Sequence, residues 1–293
     1  MGAALTWMLV TVAARPAAPA APRWRTLQPG VQYARIPLAA RSTVGDSHLD
    51  VVRVDPRRAR LRVGLARRHG GRKLTARRWL RRRGLSVAIN LGMFARDHRT
   101  HVGYTRVGRH LHNRRWRADY LSAVAFGPRR RGLPPAVMVD LDTPGARRRL
   151  RQYRVVIQNL RLIKAEHHRG VNVWRPKTRK WSEAALAQDR QGRLLFLFCR
   201  SPYPLDRLNA LLLRLPLDIL RAQHLEGGPE ASLSISVPGL HLHRAGSYES
   251  GFHENDRNRA QWPLPNVLGV VRVPPARRRD RRRPRRRRRR SRR

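Results

Sequence analysis

Cysteine is nearly absent from this 293-residue sequence: it has one, Cys199, which excludes an intramolecular disulfide and a cysteine-based metal cluster. Cys199 ends the apolar run at 194–199, so we expect an inert buried thiol. Acidic residues are also scarce, with 18 Asp and Glu against 65 Lys and Arg and a formal net charge of +47. No apolar run is long enough to cross a bilayer as a helix, so we predict no stable membrane span.

The excess of positive charge predicts non-specific binding to polyanions by counterion release. The sequence has no zinc-finger spacing, no aromatic RNA-binding strand and no heptads behind a basic region. A basic polyanion-binding or nucleic-acid-binding protein is therefore kept as an alternative function. Only four of the 65 basic residues are lysines, a bias that G+C-rich coding would also produce.

The composition divides the chain into three segments. Residues 1–23 contain an apolar stretch of signal-peptide length followed by Ala-Pro repeats, which favours export to the periplasm or the outside of the cell. Residues 24–275 are predicted to fold as one domain, because 41% of the chain is hydrophobic. Residues 276–293 hold fourteen arginines and one aspartate, and we predict a disordered tail that contacts polyanions non-specifically.

Short apolar or alternating runs, separated by turn residues, recur throughout the central segment and are typical of β-strands. Helical patterns are few: 75–83, which Gly84 ends, 144–149, and the leucine-rich 205–217. We therefore predict an α+β fold with a mixed, largely antiparallel β-sheet core and a few helices.

Polar residues interrupt or end three of these buried runs. Glu226 follows an apolar strand and leads into Gly227-Gly228, where glycines allow positive φ and close approach of backbone N–H groups to a ligand. Asn90 ends the strand at 85–90, and the run at 155–163 contains polar side chains that need partners or a ligand. The alternatives are a tight turn with a solvated glutamate, and an asparagine that only forms a turn.

With these blocks in order, the chain resembles the phosphodiester glycosidase family. AINLGMF is similar to the family's Asn-x-Gly-x-Phe pattern, VIQNLRLI to its Gln-Ser-Gly-Pro-Arg-Leu block, and HLEGGPEASL to its Leu-Asp-Gly-Gly turn. WSEAALAQDRQGRLLFLF resembles an Arg-Thr-Ala-x-Gly block, and PNVLGV the last strand. The chain departs from these patterns at four points: Glu226 replaces Asp, Trp181 replaces Arg, Ser182 replaces Thr, and the Gln158 block lacks the Gly-Pro step.

The resemblance implies an enzyme that cleaves a sugar-1-phosphodiester at the anomeric carbon through an oxocarbenium-like transition state, without a cofactor. The expected substrate is a sugar-phosphate or polysaccharide of the envelope or the extracellular space. Because of the departures, a family member that binds sugar but has lost catalysis is a second alternative.

The same resemblance implies the site residues. Glu226 is expected to act as nucleophile, general base or ion-pair stabiliser, and Asp97 as the second carboxylate. Arg161 is expected to hold the phosphate bidentately. The other substrate-binding residues are expected to be Asn90, Gly92, Ser182, Gly227 and Gly228.

Histidine pairs leave a metal site as an alternative, although we predict no metal. The pairs His110/His112 and His241/His243 have the spacing that puts both imidazoles on one face of a strand. Two further groups are Asp97-His98-x-x-His101 and His253-Glu254-x-Asp256. The last group lies in a loop and could complete such a site, but nothing in the sequence requires it.

Overall fold

The structure is a computed structural model that describes residues 21–274. The predicted tail at 276–293, and all but the last three residues of the signal-like segment at 1–23, lie outside the described residues. Within the described part, no helix is long and apolar enough to cross a membrane.

The described residues form eighteen strands and three α-helices. The first nine strands are β1 (Arg25–Gln28), β2 (Val31–Pro37), β3 (His48–Val54), β4 (Leu61–Leu65), β5 (Leu85–Asn90), β6 (Thr105–Val107), β7 (His110–Asn113), β8 (Ser122–Pro128) and β9 (Ala136–Asp140). The other nine are β10 (Tyr153–Asn159), β11 (Arg161–Glu166), β12 (Arg169–Asn172), β13 (Trp181–Asp189), β14 (Leu194–Tyr203), β15 (Ile219–Gly227), β16 (Ser232–Val237), β17 (Leu240–Ala245) and β18 (Asn266–Val271). The helices are α1 (Ala76–Arg83), α2 (Ala146–Arg151) and α3 (Leu205–Arg214).

These strands form three sheets. An eight-stranded sheet has the order β1-β2-β3-β14-β13-β15-β11-β12, and two five-stranded sheets have the orders β7-β6-β10-β8-β9 and β17-β16-β5-β18-β4. The ladders that build the sheets are antiparallel. The predicted α+β class with a largely antiparallel sheet core is confirmed.

The hydrophobic core lies where the three sheets meet. One cluster of buried side chains contains Val52 of the large sheet together with Ile89 and Ile157 of the two smaller sheets. The other face of the large sheet is covered by α3, whose Leu208 and Leu212 belong to a second buried cluster. Burial on both faces explains why the central strands read as continuous apolar runs.

Helix α1 forms where the sequence predicts it. Thr75 is its N-cap, and the Thr75 hydroxyl oxygen accepts a hydrogen bond from the Arg78 N–H at 3.2 Å. Gly84 ends the helix in the left-handed conformation at φ 60°. Trp79 and Leu80 are buried, as their helical spacing predicts.

The run at 155–163 is not one strand, which corrects the sequence-based interpretation. The chain leaves β10 and enters β11 at Leu160, so the two halves belong to different sheets. Gln158 lies next to this crossing. Its side-chain amide makes four hydrogen bonds, at 2.6–3.1 Å, to backbone groups of the 104–120 segment. Gln158 and Asn159 satisfy backbone groups around a crossing between sheets rather than interrupting a strand.

Candidate active site

The Glu226-Gly227-Gly228 segment, here called the double-glycine turn, joins β15 to a 3-10 turn that leads into β16. A Cβ at Gly227 would lie 2.6 Å from Trp181 Cδ1. Gly228 has φ 62°, and a Cβ there would lie 2.6 Å from Glu249 Oε2. Both glycines are therefore required: one lets the backbone pass under the indole ring, and the other provides a positive φ beside a carboxylate.

A β-bulge arranges the strands that carry the turn. Glu183 of β13 lies opposite Gly227, and Ala185 lies opposite His224, so Leu225 is an extra residue in β15. A bulge bends its strand and re-aims the neighbouring side chains. Glu183 and His224 come into direct contact here, although they are 41 residues apart in sequence.

Four glutamates gather around the turn. Glu183 and Glu226 lie on the two paired strands, and the Glu249 carboxylate packs against Gly228. Glu230 is the fourth. Burial raises its pKa, and the charge of Glu249 raises it as well, which places the two carboxyl groups near each other. We call Glu183, Glu226, Glu230 and Glu249 the glutamate cluster. The whole chain has only six glutamates, so this site concentrates negative charge in a strongly basic protein.

Burial and the neighbouring glutamates favour the protonated form of Glu226. Burial is the largest cause, the charges of Glu230 and Glu183 act in the same direction, and the net effect raises the pKa of Glu226 from 4.5 to about 8. The charge of His224 and the Gly227 N–H, which donates to Glu226 Oε1 at 3.2 Å, act in the opposite direction. The side chain is therefore a proton donor at neutral pH.

Glu183 and His224 form a buried pair beside Glu226. Glu183 Oε1 lies 2.7 Å from His224 Nδ1, and the two residues are 2% and 4% exposed. The second oxygen of Glu183 accepts a hydrogen bond from Trp181 Nε1 at 2.8 Å. Burial lowers the pKa of His224, but the Glu183 charge and hydrogen bond outweigh it, so the pKa lies above its usual value. The imidazole is held in a fixed orientation, and the Glu183 carboxylate favours its charged form.

Asn90 is buried at the end of β5, where it supports the loop that follows the double-glycine turn. Its Nδ2 donates to the Glu230 carbonyl at 3.0 Å, and its Oδ1 accepts from the Ser232 N–H at 2.8 Å. Both ends of the amide are occupied by backbone groups. The substrate-binding role stays a prediction, whereas the geometry gives Asn90 a positioning role.

We expect Asn90→Ala to lower the free energy of unfolding by about 1–3 kcal/mol for each buried backbone group left without a partner. The groups are the Glu230 C=O and the Ser232 N–H. Urea denaturation would measure the loss. Asn255→Ala is the matched control, because Asn255 bonds only an exposed turn N–H through its side chain and should change stability by less than about 0.5 kcal/mol. Equal stabilities of the two variants would contradict this role of Asn90.

The Ser182 hydroxyl is used in hydrogen bonds within the protein, and Gly92 lies in close contact with neighbouring side chains. The Ser182 hydroxyl donates to the Arg200 carbonyl at 2.5 Å and accepts from the Ser247 N–H at 2.9 Å. A Cβ at Gly92 would lie 2.2 Å from both Asn159 Oδ1 and His101 Nε2, so only glycine fits there. Their predicted contacts with substrate stay predictions.

Arg161 lies one strand away from β15, on β11 opposite Gln223. Its Nη1 donates to Asp142 Oδ1 at 2.8 Å and lies 3.5 Å from Asp140 Oδ1. Asp140 also pairs with Arg221 at 2.7 Å. This ion-pair network engages the guanidinium that was expected to hold the phosphate, so the predicted bidentate clamp would require Arg161 to leave Asp142.

The structure does not group Asp97 with Glu226. One Asp97 oxygen accepts hydrogen bonds from the Arg99 and Thr100 N–H groups, and the other accepts from the Thr100 hydroxyl and from Arg67. These hydrogen bonds hold its pKa well below the usual value. Asp97 shapes an exposed turn, and the carboxylates beside Glu226 are the other three members of the glutamate cluster.

Several of these histidines are used in hydrogen bonds, whereas the buried Nε2 of His110 has no partner among the described residues. His101 is buried, with Nε2 3.0 Å from Asn159 Oδ1, and burial lowers its pKa. The backbone N–H of His101 donates to His112 Nε2, and His243 Nδ1 lies 3.2 Å from the Ser234 hydroxyl. Within residues 21–274, no group of three or more His, Cys, Asp or Glu side chains is arranged to hold a metal ion.

Sequence reasoning missed Glu183, His224 and Glu249. Two signals were present: Glu183 is the one acidic residue at the start of an apolar strand, and His224 lies two positions before Glu226. Neither signal shows that the two side chains meet, because that depends on the register of β13 and β15.

Comparisons with known proteins agree with this architecture. A sequence profile described as phosphodiester glycosidase matches residues 83–271. The structure is similar to the catalytic domain of zebrafish N-acetylglucosamine-1-phosphodiester α-N-acetylglucosaminidase auto-inhibited by its pro-peptide, with a TM-score of 0.59 and 12% identity over 87% of each chain. It is also similar to a hypothetical protein from Synechocystis, with a TM-score of 0.53 and 13% identity over 83% of this chain and 62% of the other. No curated protein matches the sequence.

Proposed function

The chain belongs to the phosphodiester glycosidase family, and we propose that it hydrolyses a sugar-1-phosphodiester at the double-glycine turn. The observation that carries this proposal is the place of Glu226 at the double-glycine turn, among three other glutamates, where burial raises its pKa and makes it a proton donor at neutral pH. A sugar-1-phosphodiester of envelope or extracellular polysaccharide is the substrate class that we propose, and export of the protein is part of the proposal.

Glu226 acts as the general acid in the proposed reaction. Its proton is transferred to the phosphate oxygen that bridges to C1 of the sugar, and the C1–O bond breaks with the electron pair going to that oxygen. Water adds to C1, so that the products are the free sugar and a phosphomonoester. Protonated Glu226 also removes one negative charge from the path of an anionic substrate.

Glu249 is the carboxylate that we assign as general base. Its Oε2 lies beside Gly228, and the carboxylate makes no hydrogen bond within the described residues. It can therefore accept a proton from the attacking water. Glu183 is less suited, because both of its oxygens are already bonded to Trp181 and His224.

The test is incubation of the purified protein with methyl diesters of sugar-1-phosphates, beginning with N-acetylglucosamine, which the name of the zebrafish relative contains. Phosphorus NMR should detect methyl phosphate, and reaction in ¹⁸O-water should place the label on C1 of the free sugar. Release of methanol and sugar-1-phosphate would instead show a phosphodiesterase and overturn the proposal.

A catalytically silent sugar-binding protein is the second candidate, because Trp181 stands where the family pattern has arginine. Such a protein would retain the diester, as measured by equilibrium dialysis, and would release neither product. Turnover of any diester in the series would exclude this candidate.

A further inference from the structure

We propose that the Glu183–His224 pair is the phosphate-recognition element of this site, with His224 Nε2–H as the donor to a phosphoryl oxygen. This inference rests on the proposed function, because it names the group that recognises its substrate. It gives binding roles to residues that sequence reasoning did not select.

The hydrogen bonds of the pair determine which ring nitrogen is available. Glu183 Oε1 holds His224 Nδ1 at 2.7 Å, and Trp181 Nε1 holds the other oxygen of Glu183 at 2.8 Å. The Trp181 ring also lies edge-on to the imidazole, with the ring centroids 6.3 Å apart and the planes at 72°. These contacts fix the ring and leave Nε2 as its free end. Nε2 makes no hydrogen bond to any residue in the described part of the chain.

With Nδ1 bonded to Glu183, Nε2 is the ring atom of His224 that can meet a ligand. The residue is only 4% exposed, but Nε2 is not among the fully buried side-chain atoms that lack a partner, so an Nε2–H here is within reach of an acceptor. A phosphoryl oxygen satisfies it with a charge-assisted hydrogen bond. Neutral sugar hydroxyls would make a weaker bond to the same group.

Arginine does not supply this contact, although the chain is rich in it. Within residues 21–274, the only salt bridge of the glutamate cluster joins Glu183 to His224. Arg161 is held by Asp142 and Asp140 instead. His224 is the cation whose charge acts on Glu226, and Lys73 acts on Glu230.

The charges around His224 come from three elements. Glu183 lies on β13, Glu226 on the same strand as His224, and Glu249 in the loop after β17. All three favour the imidazolium over the neutral ring. The Glu183 carboxylate has the largest of these effects, and Glu226 adds to it only in its ionised form.

The test is the affinity of the full-length protein for inorganic phosphate and for N-acetylglucosamine-1-phosphate, measured by isothermal titration calorimetry. His224→Gln should weaken binding of both ligands roughly 10–100-fold, the range expected for a hydrogen bond to a charged group. His243→Gln is the matched control, because this histidine lies on β17 and bonds only the Ser234 hydroxyl. It should bind both ligands as the unmodified protein does, and equal affinity of the two variants would overturn the inference.

Glu183→Gln tests the positioning role separately. Glutamine keeps an acceptor for His224 but removes the charge that raises the imidazole pKa, so phosphate affinity should fall at a lower pH than in the unmodified protein. For turnover, His224→Gln should raise KM more than it lowers kcat, as expected for a binding group. A pH dependence of binding that is identical with and without the Glu183 charge would contradict the role of Glu183.

An NMR measurement on the unmodified protein tests the same contact without depending on whether a variant folds. The histidine ring whose protons show nuclear Overhauser contacts to the Trp181 indole should shift when phosphate is added, and no shift would overturn the inference. These binding experiments do not require turnover. If the protein binds phosphate through His224 but releases no sugar, this inference holds and the proposed function fails. If it releases sugar but binds phosphate without His224, the proposed function holds and this inference fails.

Discussion

Replacing Glu226 with glutamine is expected to lower kcat for sugar release by about 10²- to 10⁴-fold, which is the usual contribution of a general acid. Glutamine keeps the size of the side chain but has no acidic proton to transfer to the leaving phosphate. Initial rates with the methyl phosphodiester that the protein cleaves best would measure the change. Glu226 was expected from sequence to be a nucleophile, a base or an ion-pair stabiliser, and its raised pKa favours the acid role instead.

Glu166→Gln is the matched control for this variant. Glu166 is one of the two glutamates outside the glutamate cluster, is 45% exposed and lies 3.4 Å from Lys164. It should leave kcat unchanged, because a surface ion pair contributes little. If Glu226→Gln retained more than about a tenth of the activity while Glu166→Gln retained all of it, Glu226 would not be the general acid.

The pH dependence follows from the same carboxyl group. Activity of the unmodified protein should fall as the pH rises through about 8, because Glu226 then loses the proton that it donates. Stability should change in the same window: the folded-state pKa lies above the ordinary value of 4.5, so the folded protein keeps a proton that the unfolded chain has released. The free energy of unfolding therefore falls between pH 4.5 and about 8, and Glu226→Gln should lack this contribution. Urea denaturation at several pH values would measure it, and parallel profiles for the two proteins would contradict the raised pKa.

The largest expected loss of stability comes from Trp79→Ala, at about 3–5 kcal/mol. Trp79 is fully buried between α1 and the strands beneath it, and its ring carbons would lie 3.0 Å from a Cβ at Gly64, so the glycine makes room for the indole. Its Nε1 donates to the Leu264 carbonyl at 3.0 Å. Alanine would leave a cavity and remove the donor to this carbonyl.

Phe252→Ala is the control for the loss of an aromatic side chain, because Phe252 is 63% exposed. Its effect should remain within about 0.5 kcal/mol. Urea denaturation at neutral pH gives both values by linear extrapolation. A loss below about 1 kcal/mol for Trp79→Ala would mean that the surrounding core collapses into the space of the indole.

Local elements were predictable where a short stretch carries its own signal. The α1 prediction succeeds because Thr75, the spacing of Trp79 and Leu80, and Gly84 act within one helix. The run at 155–163 was misread because a strand that crosses between two sheets has the same apolar composition as one long buried strand. Only the pairing of each half with strands that are distant in sequence distinguishes a crossing between two sheets from one long strand.

The candidate site was predictable only in part for the same reason. Glu226 and its glycines are adjacent in sequence, so local reasoning finds them. Asn90 was also found, but its amide supports the backbone after the turn. Asp97 follows a matching block in the sequence, yet its oxygens are used by the exposed turn at 97–100 and by Arg67.

The amino-acid sequence by itself determined the strongly basic charge, the α+β class with a largely antiparallel core, membership of the glycosidase family and the position of the glutamate before two glycines. The tertiary structure alone decided which charges share one site. Strand register and the bulge in β15 bring Glu183 against His224, and the loop after β17 adds Glu249. Side-chain proximity across a sheet depends on pairing between distant segments, and one residue of slip would turn the same side chains to opposite faces.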